Sequence, residues 1–138
     1  MRRVYQNLFG SPDGPIDQLG NCYPACIASL LDLGLDDVPH FYQLHRNRET
    51  FLDEILKFLH AQQMTALRFR YEPWMRRYAP GALGIFSGAS PRDPQLLHSV
   101  VGQLTSHGWK LIHDPHPDQC GLADDPTDVE FLFPLMTL

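Results

Sequence analysis

Three residues whose types could together perform acyl-transfer chemistry stand far apart in this chain: Cys22 in Gly20-Asn21-Cys22-Tyr23-Pro24-Ala25-Cys26, His98 in Leu97-His98-Ser99-Val100-Val101, and Asp114 in Ile112-His113-Asp114-Pro115. A cysteine attacks a carbonyl carbon as the thiolate, so it needs a base, and the base needs a partner that fixes its tautomer. Cysteine, histidine and aspartate, in that chain order, supply the nucleophile, base and orienter of such a hydrolase.

The elements must then bring the three together. Cys22 sits where a turn passes into an amphipathic helix, with Ile27, Leu30 and Leu31 on one face, Pro24 in the first turn and Gly34 as the stop. The free N–H groups and partial positive charge of a helix start favour thiolate over thiol. Leu35 to Pro39 is expected as a short helical turn. Thr50 followed by Asp53 marks the cap of a second helix, carrying Phe51, Leu52, Ile55, Leu56 and Leu59.

Strands are expected at about 66–71, 82–87, 98–104, 109–114 and 129–133, separated by Gly, Pro, Ser and Asp. If Thr105-Ser106-His107-Gly108 closes a hairpin centred near Ser106, His98 and Asp114 lie directly opposite each other. Directly opposed side chains share a face and are close enough to hydrogen-bond. Helices first and antiparallel strands after indicate an α+β fold, with N-terminal helices packed on a C-terminal antiparallel β-sheet.

Asn21-Cys22 opening a helix with Ala25-Cys26 one turn on, His98 followed by Ser99-Val100-Val101, and Asp114-Pro115 ending the next strand resemble the papain-like cysteine peptidase superfamily. Within it the pattern looks most like the double-glycine leader peptidases and the small bacterial and phage proteins related to them. The resemblance runs from Asn21 to Asp114. It implies a papain-like fold, Cys22 as nucleophile, His98 as general base, Asp114 as the residue that orients the imidazole, and a peptide or protein substrate. It also implies an oxyanion hole formed by the Cys22 N–H and, in the family, a glutamine side chain a few residues upstream. Gln18 is the nearest such residue, with Asn21 as a substitute. Tyr23 stands where the family commonly has glycine, which makes it a candidate for the wall of the substrate cleft.

Other residues have plainer roles. Cys26, one turn into the helix, is expected in the core, Cys120 in a loop, and His40, His45, His60 and His107 at the surface. Cys22, Cys26, His113 and His116 make a possible zinc set by count, but a regular helix spreads the two thiols apart where a zinc knuckle would gather them. No metal and no cofactor is therefore called for. His113 is expected to alternate away from Asp114, and His116, after a proline, to sit on the cleft rim. The segment Ser87 to Pro94 reads either as a long connection able to border or cover a substrate groove, with Arg92 as a contact for a carboxylate or acidic substrate, or equally as a plain strand-to-strand loop. Neither Ser87 nor Ser90 has the Gly-x-Ser-x-Gly elbow of a serine hydrolase.

Composition bounds the rest. The 138 residues are 43% hydrophobic and 20% charged, which fits one globular domain spanning 1–138. A formal net charge of −5 argues against a nucleic-acid partner recognised through its phosphates, and the basic cluster Arg68, Arg70, Arg76 and Arg77 is broken up by aromatic and acidic residues. No apolar run is long enough for a membrane span, and a cytoplasmic location is expected. The function that follows is cleavage of a peptide, isopeptide or other amide bond through an acyl-enzyme. Alternatives on the same residues are a transamidase or deamidase, a catalytically silent binding or inhibitor domain, and, with weaker support, a structural zinc module.

Overall fold

The computed structural model describes residues 1–44 and 47–136, so His45 lies outside the described residues. Within them the chain is α+β: four helices, α1 (Cys22–Leu31), α2 (Phe41–Leu44), α3 (Arg48–Ala61) and α4 (Met75–Tyr78), and five strands, β1 (Met64–Arg70), β2 (Leu83–Ala89), β3 (Leu97–Thr105), β4 (Gly108–His113) and β5 (Asp128–Pro134). The strands form one antiparallel sheet in the order β1-β5-β2-β3-β4. Single 3₁₀ turns occupy Ile16–Gln18 and Leu35–Asp37.

Burial divides the apolar residues into two groups by face. On one face α1 and α3 cover the sheet, with Cys26, Ile27, Ala28, Phe51, Ile55 and Leu59 packed with Ile85 and Val101. Phe86, Val100, Leu104, Val129 and Phe131 form the second cluster with Met75 of α4. Alternation along each strand sends neighbouring residues into different clusters, as Val100 and Val101 show.

Local chemistry explains where the helix ends fall. Helix α1 stops at Leu31 because Asp32 takes a left-handed conformation (φ 56°) and donates its N–H to Ala28 O, two residues before the Gly34 expected as the stop. The cap of α3 is Asn47, whose Oδ1 accepts from Glu49 N (3.0 Å), and the Thr50 hydroxyl donates to Asn47 O (2.9 Å) inside the first turn. The expected Thr50 cap thus moves one turn earlier. Of the two readings of Ser87 to Pro94, the plain strand-to-strand connection fits: Ser87, Gly88 and Ala89 extend β2, and a tight turn held by Ser90 N to Leu96 O and Leu96 N to Asp93 O (2.9 Å each) leads into β3.

The β3–β4 hairpin departs from its expected register. Thr105 pairs with Gly108, Leu104 with Trp109 and Gly102 with Leu111, a slip of one residue from the pairing inferred from sequence. Continued unchanged, that register would set Asp114 opposite Ser99 and turn it away from His98. A bulge intervenes between Val101 and Gly102: Val101 pairs with His113, leaving Ile112 as an extra residue on β4. The ladder ends at that pair, and Asp114 follows directly beyond it, within hydrogen-bonding distance of His98.

Candidate functional site

Cys22 is the first residue of α1 and is half-buried. Its helix start is fixed from both sides. Asn21 Oδ1 accepts from Asn7 N (3.1 Å) and Leu8 N (3.0 Å), its Nδ2 donates to Asn7 Oδ1 (2.8 Å), and its backbone N donates to Leu8 O (3.3 Å). The next residue, Tyr23, is buried, and its hydroxyl donates to Glu130 of β5, which also meets Arg68 of β1 at 3.3 Å. Burial, the Glu130 charge and that hydrogen bond push the Tyr23 phenol well above its usual range. One sequence expectation is thereby corrected: Tyr23 lies in the core and does not line a cleft. The Asn21 carboxamide is engaged through its oxygen and one of its two amide hydrogens.

His98, near the start of β3, is buried and paired with the Asp114 carboxylate, and the Cys22 thiol is close enough to act on its charge. Its Nε2 lies 2.7 Å from Asp114 Oδ1. A carboxylate only accepts, so Nε2 carries the proton and Nδ1 is the nitrogen left to take one from sulfur. Burial pulls the imidazole down, but the hydrogen bonds to Asp114 and Cys22 and the charges of both outweigh it and hold His98 up to about 9.

Asp114 is fully buried just beyond β4. Its Oδ1 also accepts from His116 N (2.9 Å) and its Oδ2 from Gly121 N (2.8 Å), within a loop that Gln119 closes by donating Nε2 to Asp114 O (2.6 Å). Burial pushes the carboxyl up. The His98 bond and the two backbone N–H groups more than offset this and hold it below its usual value.

The remaining candidates fall around this centre. His116 is partly buried, its ring 6.4 Å from that of His98 and 5.1 Å from that of Phe9. Arg92 is engaged with Asp118 at 2.8 Å. Slight burial would raise Asp118, but the Cys120 N–H and the Arg92 guanidinium hold it down to about 2. Gln18 is exposed on its 3₁₀ turn, where its backbone carbonyl accepts from Gly10 N (2.7 Å). Cys26 is fully buried, and that burial, with the charges of Cys22, Asp114 and Glu130, pushes its thiol well up. His113 is occupied by Val4 O (2.7 Å), and no group of three or more His, Cys, Asp or Glu able to hold a metal ion occurs among the described residues.

Gln6 was not among the residues singled out from the sequence. It is buried, its backbone N donates to Pro115 O (3.0 Å), next to Asp114, and its Nε2 donates to Leu8 O (2.9 Å). Leu8 O also accepts from Asn21 N, so the Gln6 carboxamide and the residue before Cys22 share one acceptor. In sequence the two are separated by an excursion over residues 10–20, which returns to its start. Gly20 N donates to Gly10 O (2.8 Å), and Gly10 and Leu19 form a bridge. Any side chain at Gly10 would collide with the Gln18 backbone, so glycine is required for that closure. The turn-forming run Gly10-Ser11-Pro12-Asp13-Gly14-Pro15 was the sequence signal for subtracting the excursion and finding Gln6.

The arrangement can transfer a proton from sulfur to Nδ1 of an imidazole held by a buried carboxylate, beside an open backbone N–H at a helix start. Among the described residues no helix is long and apolar enough to cross a membrane. No family model, curated protein or solved structure matches the chain, so these side chains alone carry the functional argument.

Proposed function

We propose that the protein is a papain-like thiol hydrolase that cleaves a peptide, isopeptide or other amide bond through an acyl-enzyme. The observation that carries this is the buried His98–Asp114 pair at 2.7 Å, with Cys22 at the first residue of α1 among the groups that hold His98 up. Such a pair is costly to bury unless its polar groups are satisfied, and Asp114 also takes the N–H groups of His116 and Gly121.

In the first half-reaction the Cys22 proton passes to His98 Nδ1 while sulfur bonds to the carbonyl carbon. The carbonyl electron pair moves to oxygen, where the Cys22 N–H and the second hydrogen of Gln6 Nε2 stabilise it. The tetrahedral centre then collapses, the C–N bond breaks, and His98 gives its proton to the departing amine. Water attacks the thioester in the second half-reaction, its proton going to His98 and then to sulfur. An amine in place of water would make the same enzyme a transamidase, and a glutamine side chain as substrate would make it a deamidase.

Iodoacetamide labelling of the native protein across a pH series, with mass mapping of the modified peptides, tests the thiol, and cleavage of a peptide library tests the reaction. Cys22 should label faster than a free thiol, His98→Ala should slow it, and Cys22→Ala should abolish cleavage. Labelling at the rate of a free thiol, or a rate unchanged by His98→Ala, would overturn the proposal.

A further inference from the structure

Strand β1 is an edge of the sheet, paired only with β5. Tyr71 N donates to Thr127 O and Leu135 N to Gln63 O (2.8 Å each), so the odd-numbered residues of β1 direct their backbone groups at β5. Pro134, which has no N–H, sits opposite Met64 at a position where none is needed. The N–H and C=O of Met64, Ala66, Arg68 and Arg70 therefore point away from the sheet, and among the described residues nothing meets them.

Protein edges are ordinarily blunted by proline, a bulge, outward charge or a covering segment. This one has seven residues in unbroken register and no proline or bulge. Its two charges lie on the helix-covered side, where Glu130 takes Arg68. On the other side Leu67 (54% exposed) and Phe69 (42%) continue an apolar surface into Phe133 (40%) on β5. An open hydrogen-bonding edge and an uncovered apolar face thus coincide on one strand.

We propose that β1 pairs antiparallel with β1 of a second copy about a two-fold axis at Leu67, joining the two sheets into one. That centre sets Ala66 opposite Arg68 and Met64 opposite Arg70 of the partner, so every pair consists of residues whose backbone groups already face outward. Each such pair exchanges both of its hydrogen bonds. Leu67 then meets its own copy and Phe69 meets Thr65, covering the apolar strip with like surface.

The charges select the same centre. An axis at Arg68 would oppose that arginine to itself, and an axis at Ala66 would leave Arg70 beyond the partner strand. Only Leu67 pairs the full strand without opposing like charges.

The test uses the full chain, with light scattering and sedimentation across a concentration series. Wild type should approach twice the 15.8 kDa chain mass and dissociate on dilution. Leu67→Lys, which opposes two ammonium groups on the axis, should lose the dimer and run at the single-chain mass with an unchanged circular dichroism spectrum. Leu67→Cys should form a disulfide between the two introduced thiols on mild oxidation, identified by mass mapping, whereas Arg70→Cys should not. That pair decides the register even if Leu67→Lys fails to fold. A monomeric wild type at all concentrations, a dimer indifferent to Leu67→Lys, or equal cross-linking at both cysteine positions would each overturn the proposal.

Discussion

Asp114 accepts a 2.7 Å hydrogen bond from His98 although the two residues are not paired across the hairpin; the extra residue Ile112 rotates Asp114 onto the His98 side. The orienting carboxylate therefore depends on a backbone irregularity in β4 as much as on its own identity. Asp114→Asn keeps the size of the side chain but removes the charge that holds the imidazole up. Cleavage should fall on the order of 100-fold, and the pH profile of Cys22 alkylation should shift to lower pH, read from labelling rates across a pH series.

The buried pair also sets a pH window for stability. His98 is raised from 6.5 to about 9, so its contribution is full below pH 6.5 and is lost as pH rises through about 9. Asp114 is lowered from 3.8, so its contribution is full above that value and is lost as pH falls below it. Urea unfolding midpoints should be highest between these limits, and His98→Gln should flatten the alkaline limb. Cys22→Ser removes part of what raises His98 and should move that limb to lower pH.

Gln6 and His98 should separate in assays that differ in their need for an oxyanion. Gln6→Ala should lower amide cleavage by about 100- to 1,000-fold and leave iodoacetamide labelling of Cys22 near the wild-type rate. Equal losses in both assays would mean that Gln6 only holds the helix start in place.

Tyr23 anchors the residue after the nucleophile to the middle of the sheet. Tyr23→Phe leaves buried Glu130 with Arg68 and without the hydroxyl, and should cost about 1–3 kcal/mol in urea unfolding. Glu130→Gln keeps a partner for the hydroxyl but leaves Arg68 without its carboxylate.

Asn21→Ala removes the side-chain bonds that hold Asn7 and Leu8, and should loosen the N-terminal arm. Limited proteolysis should then cut between residues 5 and 20 faster than in wild type, with α1 itself still protected.

Much of this site was legible in the sequence because helix and strand periodicity is local. Cys22 at a helix start, Cys26 in the core and five strands near their observed bounds all follow from apolar spacing and turn residues. The pairing of His98 with Asp114 was inferred from a hairpin register that is one residue out, and the contact exists because a bulge compensates. Bulges leave little sequence trace, since Ile112 is apolar like Leu111 before it. Tyr23 and Gln6 were misassigned or missed for another reason: their partners Glu130 and Pro115 are distant in sequence, and only the folded chain makes them neighbours.

Those distances set the order in which the site can appear during synthesis. The bond from Tyr23 to Glu130 spans 107 residues, and that from His113 to Val4 spans 109. β5, the last of the five strands to be made, enters the sheet between β1 and β2. A growing chain that has passed His98 and Asp114 but not Glu130 has a sheet with a gap at its centre and a Cys22 helix without its anchor. Closure of the sheet and anchoring of the Cys22 helix thus both wait on the last of the five strands to be made.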